Sequence, residues 1–116
     1  GDWSSDVCSS DLPYHARVAA EHGMTMVMYE GGTHIVVSPA RHEDADLVDF
    51  IIALNHSPQM AELYRVLLTG WAALTPAPFN AFSDISLPSI WGSWGGLRHI
   101  DDANPRWEAM MEMTAP

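Results

Sequence analysis

The chain has 116 residues, a length that suits one small domain. It carries 15 acidic residues against 5 arginines, no lysine and one cysteine, for a formal net charge of −10 at pH 7. This balance argues against nucleic-acid binding, which needs a basic surface. The sequence has no run of about eighteen apolar residues, so no membrane span is predicted.

The first twelve residues differ in character from the rest of the chain. Residues 2–12, DWSSDVCSSDL, match one reading frame of a translated sequencing-library adapter at every position. We therefore expect residues 1–12 to be an adapter-derived, disordered artefact; the alternative is a genuine Ser/Asp-rich arm. Without its three aspartates the acidic residues fall from 15 to 12 and the net charge becomes −7. Cys8, the only cysteine, is also lost, and residues 13–116 are expected to begin within a longer gene.

The next two elements are predicted to be a helix and a buried strand. Apolar spacing and a following glycine, Gly23, predict a helix over residues 13–22. Residues 24–29, MTMVMY, form a short apolar run with one polar residue, which is typical of a strand buried on both faces in a parallel sheet. Glu30 follows directly and precedes two glycines. In α/β folds chemistry is placed at such carboxyl ends, so Glu30 is the first candidate site residue.

Helical patterns dominate the remainder. Acidic residues followed by an apolar stripe predict a helix over residues 43–54. Ser57 as N-cap and Pro58 as the first helical residue predict another over 58–74. The remaining predicted elements are a second strand over 79–85, a Gly/Ser/Trp-rich loop over 86–96 and a last helix over 104–113.

The order of these elements predicts the fold class. Strands separated by helices form right-handed βαβ units around a parallel sheet. We therefore expect an α/β fold, specifically the C-terminal fragment of a (β/α)8 TIM barrel with about its last two βα units.

Five segments resemble one family: MVMYEGGTH, NHSPQMAELYRVLLTGW, FNAFSDIS, GSWGGL and NPRWEAM. They are similar to the C-terminal end of β/α-barrel glycoside hydrolases, and most closely to bacterial proteins described as cellulose-binding or hypothetical. The resemblance covers about residues 20–113. It implies that residues 13–116 are the C-terminal fragment of a glycoside-hydrolase-like barrel domain, with a polysaccharide or oligosaccharide as substrate and no cofactor.

The resemblance also implies roles for individual residues. Glu30 matches the nucleophile of a retaining glycoside hydrolase, and Trp91 or Trp94 matches the aromatic platform for a sugar ring. Retaining hydrolysis needs two carboxyl groups roughly 5–5.5 Å apart. The acid/base partner of that family lies in a strand this chain lacks, so the fragment alone is expected to be inactive.

Three further residues are candidates for substrate binding. Tyr29 either hydrogen-bonds near Glu30 or fills the core. His34 either contacts a sugar hydroxyl or is structural, and Asp84 either binds a hydroxyl or orients another site residue. No histidines show zinc-ligand spacing, so no metal is expected. Trp71 and Trp107 lie on helical apolar stripes and are predicted core residues.

Two alternatives to the hydrolase stay open. One is a non-catalytic carbohydrate-binding barrel protein, and the other is a βα-barrel enzyme of unrelated chemistry with Glu30 as general base. The expected partner is a carbohydrate, with no nucleic acid and no membrane span. The compartment is undetermined, with a secreted or periplasmic parent among the options.

Overall fold

The computed structural model describes residues 11–114. Of the predicted artefact, residues 1–10 lie outside the described residues, so that prediction is not tested there. The described part of the chain is mostly helical, with no sheet. Its elements are α1 (Leu12–Glu21), a 3₁₀-helix (Pro39–Arg41), α2 (Ala45–Asn55), α3 (Pro58–Leu74) and α4 (Pro105–Thr114).

The helices begin and end where local signals place them. The Ser57 side chain accepts a hydrogen bond from Met60 N at 3.2 Å, and Pro58 takes the first position of α3, whose bounds match the prediction. Asn104 Oδ1 accepts a hydrogen bond from Trp107 N at 3.0 Å at the start of α4. Gly23 follows α1 with φ +66°, a conformation that only glycine adopts freely.

Helix α2 begins two residues later than predicted. Asp44 accepts a hydrogen bond from Leu47 N at 3.1 Å, so it is the N-cap of the helix and not part of its first turn. Phe50 in the predicted apolar stripe is 62% exposed. This helix therefore packs less deeply than its sequence predicts.

The core lies between α3 and α4. Its buried residues are Met60, Ala61, Tyr64 and Leu68 from α3 and Ala109 and Met110 from α4, with Phe79 and Trp107 packed against them. At the surface of the same interface, Arg65 donates two hydrogen bonds to Glu112, at 2.8 and 2.9 Å. Trp71 is also buried, as predicted, and its indole N–H donates to Ala77 O at 2.8 Å.

The prediction of an α/β fold and of a TIM-barrel fragment with two βα units is wrong. Residues 24–29 are not a strand, and the side chains of Met24, Val27 and Tyr29 are 67%, 70% and 85% exposed. Residues 79–85 also form no strand, although isolated bridges occur at Ala81 and Ile85. Residues 11–114 contain four α-helices and no sheet.

The two extended segments still meet at one point, through a parallel bridge between Gly31 and Ala81. Gly31 N donates to Asn80 O and Phe82 N donates to Gly31 O, both at 2.9 Å. An apolar run becomes a buried strand only when neighbouring strands cover its edges and helices cover its faces. A single bridge provides neither, so the run stays extended, with Met26 and Met28 half-buried and its other residues exposed. The bridge does place the end of the first segment beside the second.

Candidate functional site

A cleft of about 180 Å³ opens beside the Gly31–Ala81 bridge. Three segments form its two walls: one wall is the loop that carries Glu30 and His34, and the other is formed by the segments of Phe82 and Trp94. Its full lining is Glu30, Gly31, Gly32, Thr33, His34, Phe82 and Trp94. Three residues that the sequence predicted as site residues, Glu30, His34 and Trp94, therefore meet in one place.

The first wall is a tight loop that requires glycine. Gly32 has φ +137°, and a Cβ added there would lie 2.9 Å from Tyr64 Oη. Tyr64 Oη accepts a hydrogen bond from Thr33 N at 3.0 Å, so the loop lies directly against α3. Glu30 is an exposed residue of this loop and lines the cleft. Glu30 is thus open to a ligand while the backbone behind it is held.

The second wall is aromatic. The indole of Trp94 lies 5.3 Å from the His34 ring and 6.2 Å from the Phe82 ring, measured between centroids. A Cβ added at Gly92 would lie 2.5 Å from Trp94 Cε2, so the indole packs directly on the backbone of that glycine. The cleft therefore combines one carboxylate, one imidazole and two aromatic rings.

The other predicted site residues lie outside this cleft. The Tyr29 side chain is 85% exposed and only its carbonyl oxygen is used, as an acceptor for Asn80 Nδ2. Trp91 is 62% exposed, and its ring contacts His42 edge-on at 5.0 Å. Its carbonyl oxygen accepts a hydrogen bond from His34 Nε2 at 3.0 Å. Of the two tryptophans that matched the platform, Trp94 is the one that lines the cleft.

Asp84 lines a different and larger cavity, of about 670 Å³, between α3, α4 and residues 75–84. The walls of this cavity are mostly apolar and include Trp71, Phe79 and Trp107. We place the candidate site in the smaller cleft because its polar groups converge, whereas the larger cavity offers few groups that fix the orientation of a polar ligand.

Sequence reasoning missed the residues that support the cleft. Arg106 is 1% exposed; its Nη1 donates to Thr33 Oγ1 at 3.1 Å and its Nη2 to Gly95 O at 2.6 Å. Burial lowers the pKa of Arg106, although the oxygen of nearby Tyr64 opposes this effect. None of the four ion pairs within residues 11–114 includes it. The only feature of the sequence that could have indicated this role is that Arg106 is an arginine on an otherwise apolar face of α4.

Phe82 was missed for another reason. The alternating pattern of residues 79–85 places Phe82 on the same side as Asn80 and Asp84, so the pattern did not distinguish a buried face from an exposed one. The segment is not a strand, so this alternation does not describe its faces. Phe82 is 47% exposed and borders the cleft.

Neither a metal site nor a membrane-spanning helix is found in the described part of the chain. Between residues 11 and 114, no group of three or more His, Cys, Asp or Glu side chains is arranged to hold a metal ion. No helix of that region is long and apolar enough to cross a membrane. The cleft at Glu30 is therefore the arrangement on which a function can be argued.

Comparison of the chain with protein-family models, curated proteins and solved structures finds no match. The resemblance to glycoside hydrolases therefore stays a prediction from the five sequence segments. A functional argument has to come from the geometry of the cleft.

Proposed function

We propose that the chain binds one saccharide unit of an oligosaccharide or polysaccharide in the cleft at Glu30. The observation that carries this proposal is the convergence of Glu30, His34 and Trp94, together with Phe82, on one small opening. Its volume of about 180 Å³ is below the roughly 300–1,000 Å³ of sites for drug-sized ligands, so a single sugar ring is the appropriate scale.

The chemistry of the lining suits a sugar. A pyranose ring presents C–H groups on its faces and hydroxyl groups at its edge. The Trp94 and Phe82 rings offer apolar faces and edges for the C–H groups. The Glu30 carboxylate accepts hydrogen bonds from hydroxyl groups, and charge-assisted bonds of this kind are stronger than neutral ones. His34 adds an imidazole ring 5.3 Å from the Trp94 indole, held by the hydrogen bond from its Nε2 to Trp91 O.

Binding is favoured over hydrolysis by the number of carboxyl groups. A retaining glycoside hydrolase needs a second carboxyl group roughly 5–5.5 Å from the nucleophile. Within residues 11–114, Glu30 is the only acidic residue that lines the cleft. The proposal is therefore carbohydrate binding with Glu30 as a ligand contact, and the nucleophile role implied by the resemblance is secondary to it.

The test is a titration with cellohexaose, followed through the indole N–H resonances in ¹H–¹⁵N NMR spectra. We expect the Trp94 resonance to move, and Trp94→Ala to weaken binding about tenfold, equivalent to about 1.4 kcal/mol. Trp91→Ala is the matched control, because its ring lies outside the cleft. Glu30→Gln should also weaken binding, and Asp84→Asn serves as its control.

Two outcomes would contradict the proposal. One is a Trp94 resonance that does not move at sugar concentrations up to about 10 mM, because any binding would then have a free energy weaker than about 3 kcal/mol. The other is an equal loss of affinity in the two tryptophan variants. Release of reducing sugar ends by the wild-type chain, abolished in Glu30→Gln, would instead restore the hydrolase interpretation.

A further inference from the structure

The buried guanidinium of Arg106 connects the two walls of the cleft. Its Nη1 donates to Thr33 Oγ1 at 3.1 Å, in the loop between Glu30 and His34. Its Nη2 donates to Gly95 O at 2.6 Å, in the residue that follows Trp94. A guanidinium is planar and its two terminal nitrogens have a fixed separation. One rigid group from α4 therefore contacts the backbone or side chain of both loops.

Thr33 is also held from two other helices. Its N–H donates to Tyr64 Oη of α3 at 3.0 Å, and its Oγ1 donates to Asn55 Oδ1 at the end of α2 at 3.1 Å. Asn55 is itself oriented, because its Nδ2 donates to Ile35 O at 3.1 Å and to Ile51 O at 2.8 Å. The Thr33 hydroxyl thus has one donor and one acceptor role, and both are filled.

Arg106 is a poor choice for core stability alone. It is 1% exposed, its Nε has no hydrogen-bond partner, and no carboxylate of residues 11–114 pairs with it. A buried charge without an ion-pair partner is costly, and apolar residues of similar volume often serve as well or better. The Tyr64 ring, 5.8 Å from Arg106 Cζ, offsets part of this cost. The hydrogen bonds that Arg106 does make go to the two cleft loops.

We infer that Arg106 is the positioning residue of the cleft, and that its guanidinium sets the distance between the loop of Glu30 and His34 and the loop of Trp94. This inference rests on the proposed carbohydrate binding, which it deepens by identifying what keeps the site open to the correct width. Thr33 is the contact through which Arg106 acts on the first wall. The Gly95 carbonyl is the contact on the second wall.

The experiment measures wall separation and sugar affinity in the same variants. The ring protons of His34 lie near the Trp94 indole, with centroids 5.3 Å apart, so their chemical shifts report the separation without any ligand. Arg106→Met replaces the guanidinium with a shorter, unbranched apolar side chain and removes both hydrogen bonds. Thr33→Val removes the hydroxyl at nearly constant shape, and Thr33→Ser keeps it.

We expect Arg106→Met and Thr33→Val to move the His34 resonances toward random-coil values and to weaken cellohexaose binding at least tenfold. Thr33→Ser should recover the His34 shifts and most of the affinity. Thr75→Val is the matched control, because the Thr75 hydroxyl also donates a hydrogen bond, to Met26 O at 2.8 Å, but away from the cleft. This control should lower the melting temperature and leave both readouts unchanged.

The outcomes separate this inference from the proposed function. Unchanged His34 shifts in folded Arg106→Met would overturn it, and so would equal effects of Thr33→Val and Thr33→Ser. If Arg106→Met does not fold, the Thr33 pair decides by the same criteria. If the wild-type chain binds no sugar, the proposed function fails, while the His34 shifts still decide whether Arg106 sets the geometry of the loops.

Discussion

Two methionines, Met24 and Met60, give the sharpest test of the fold. The sequence predicts that both are buried, whereas in the structure only Met60 is buried. Met24 belongs to the run predicted as a buried strand, yet its side chain is 67% exposed. Met60 is on α3 and is 1% exposed, in contact with the α4 side of the core. Met→Ala at each position removes the same atoms, so any difference in the free energy of unfolding reports burial.

The expected magnitudes follow from that burial. Removing three methylene-sized groups at Met60 costs about 2.4 kcal/mol in transfer free energy at about 0.8 kcal/mol each. The cavity left behind raises this to about 3–4 kcal/mol, within the usual range of about 2–5 kcal/mol. At Met24 only about a third of that transfer term applies, so the loss should stay below about 1 kcal/mol.

Urea unfolding monitored by far-ultraviolet circular dichroism measures both losses. In thermal unfolding, the melting temperature of Met60→Ala should fall by about 12–16 °C, at about 4 °C per kcal/mol. A loss at Met24→Ala of about 2 kcal/mol or more would mean that residues 24–29 are buried after all. A loss at Met60→Ala below about 1 kcal/mol would mean that α3 and α4 do not pack as described.

Three further outcomes are expected. Burial lowers the pKa of His56, so the unfolded chain binds a proton that the folded chain does not, and the free energy of unfolding should fall as pH drops below about 6.5. His56→Asn should weaken this pH dependence, measured by urea unfolding at a series of pH values. Hydrogen bonds from Arg98 lower the pKa of Asp102, so the stability that the Asp102 carboxylate contributes should be present above about pH 4 and lost on further acidification. Asp102→Asn should lower the free energy of unfolding by about 1.5–3 kcal/mol at pH 7, measured by urea unfolding, and remove this acid dependence. Gly92→Ala should displace the indole of Trp94, because the new Cβ would lie 2.5 Å from it, and should shift tryptophan fluorescence and weaken cellohexaose binding about tenfold.

The helices were predictable because their signals are local. Ser57 and Pro58 fix the start of α3 through contacts within one turn, and Gly23 marks the end of α1 through its own backbone conformation. Each of these signals acts over a few residues, so the sequence contains all that is needed. The error of two residues at the start of α2 arose because Asp44, included in the predicted helix with the other acidic residues, is the N-cap.

The strands were not predictable because a strand depends on residues distant in sequence. The run at residues 24–29 has the composition of a buried strand, but only the bridge at Gly31 and the hydrogen bond from Asn80 Nδ2 to Tyr29 O connect this segment to residues 79–85. Composition indicates which secondary structure a segment prefers when other elements pack against it. It does not indicate whether those neighbouring strands and helices are present. The α/β prediction failed at this step.

The site was partly predictable for the same physical reasons. Glu30 was chosen because it follows the run predicted as a strand and because the resemblance implies a nucleophile at that position. The strand is absent, yet Glu30 and His34 both line the cleft. Trp94 was one of two equivalent tryptophans until the structure showed which ring lines the cleft. Phe82 and Arg106 were missed because their roles depend on which loops meet, and no pattern within their own segments reports that.

The exposed run at residues 24–29 also bears on how the protein behaves in concentrated solution. Within residues 11–114, the N–H groups of residues 25–30 donate no backbone hydrogen bond. An uncharged, apolar edge with free N–H groups is a template for the same segment of another molecule. The net charge of −10 keeps molecules apart at low ionic strength, and added salt screens that repulsion. Oligomers and fibrils should therefore form more readily at high salt, and a lysine in place of Val27 should delay them.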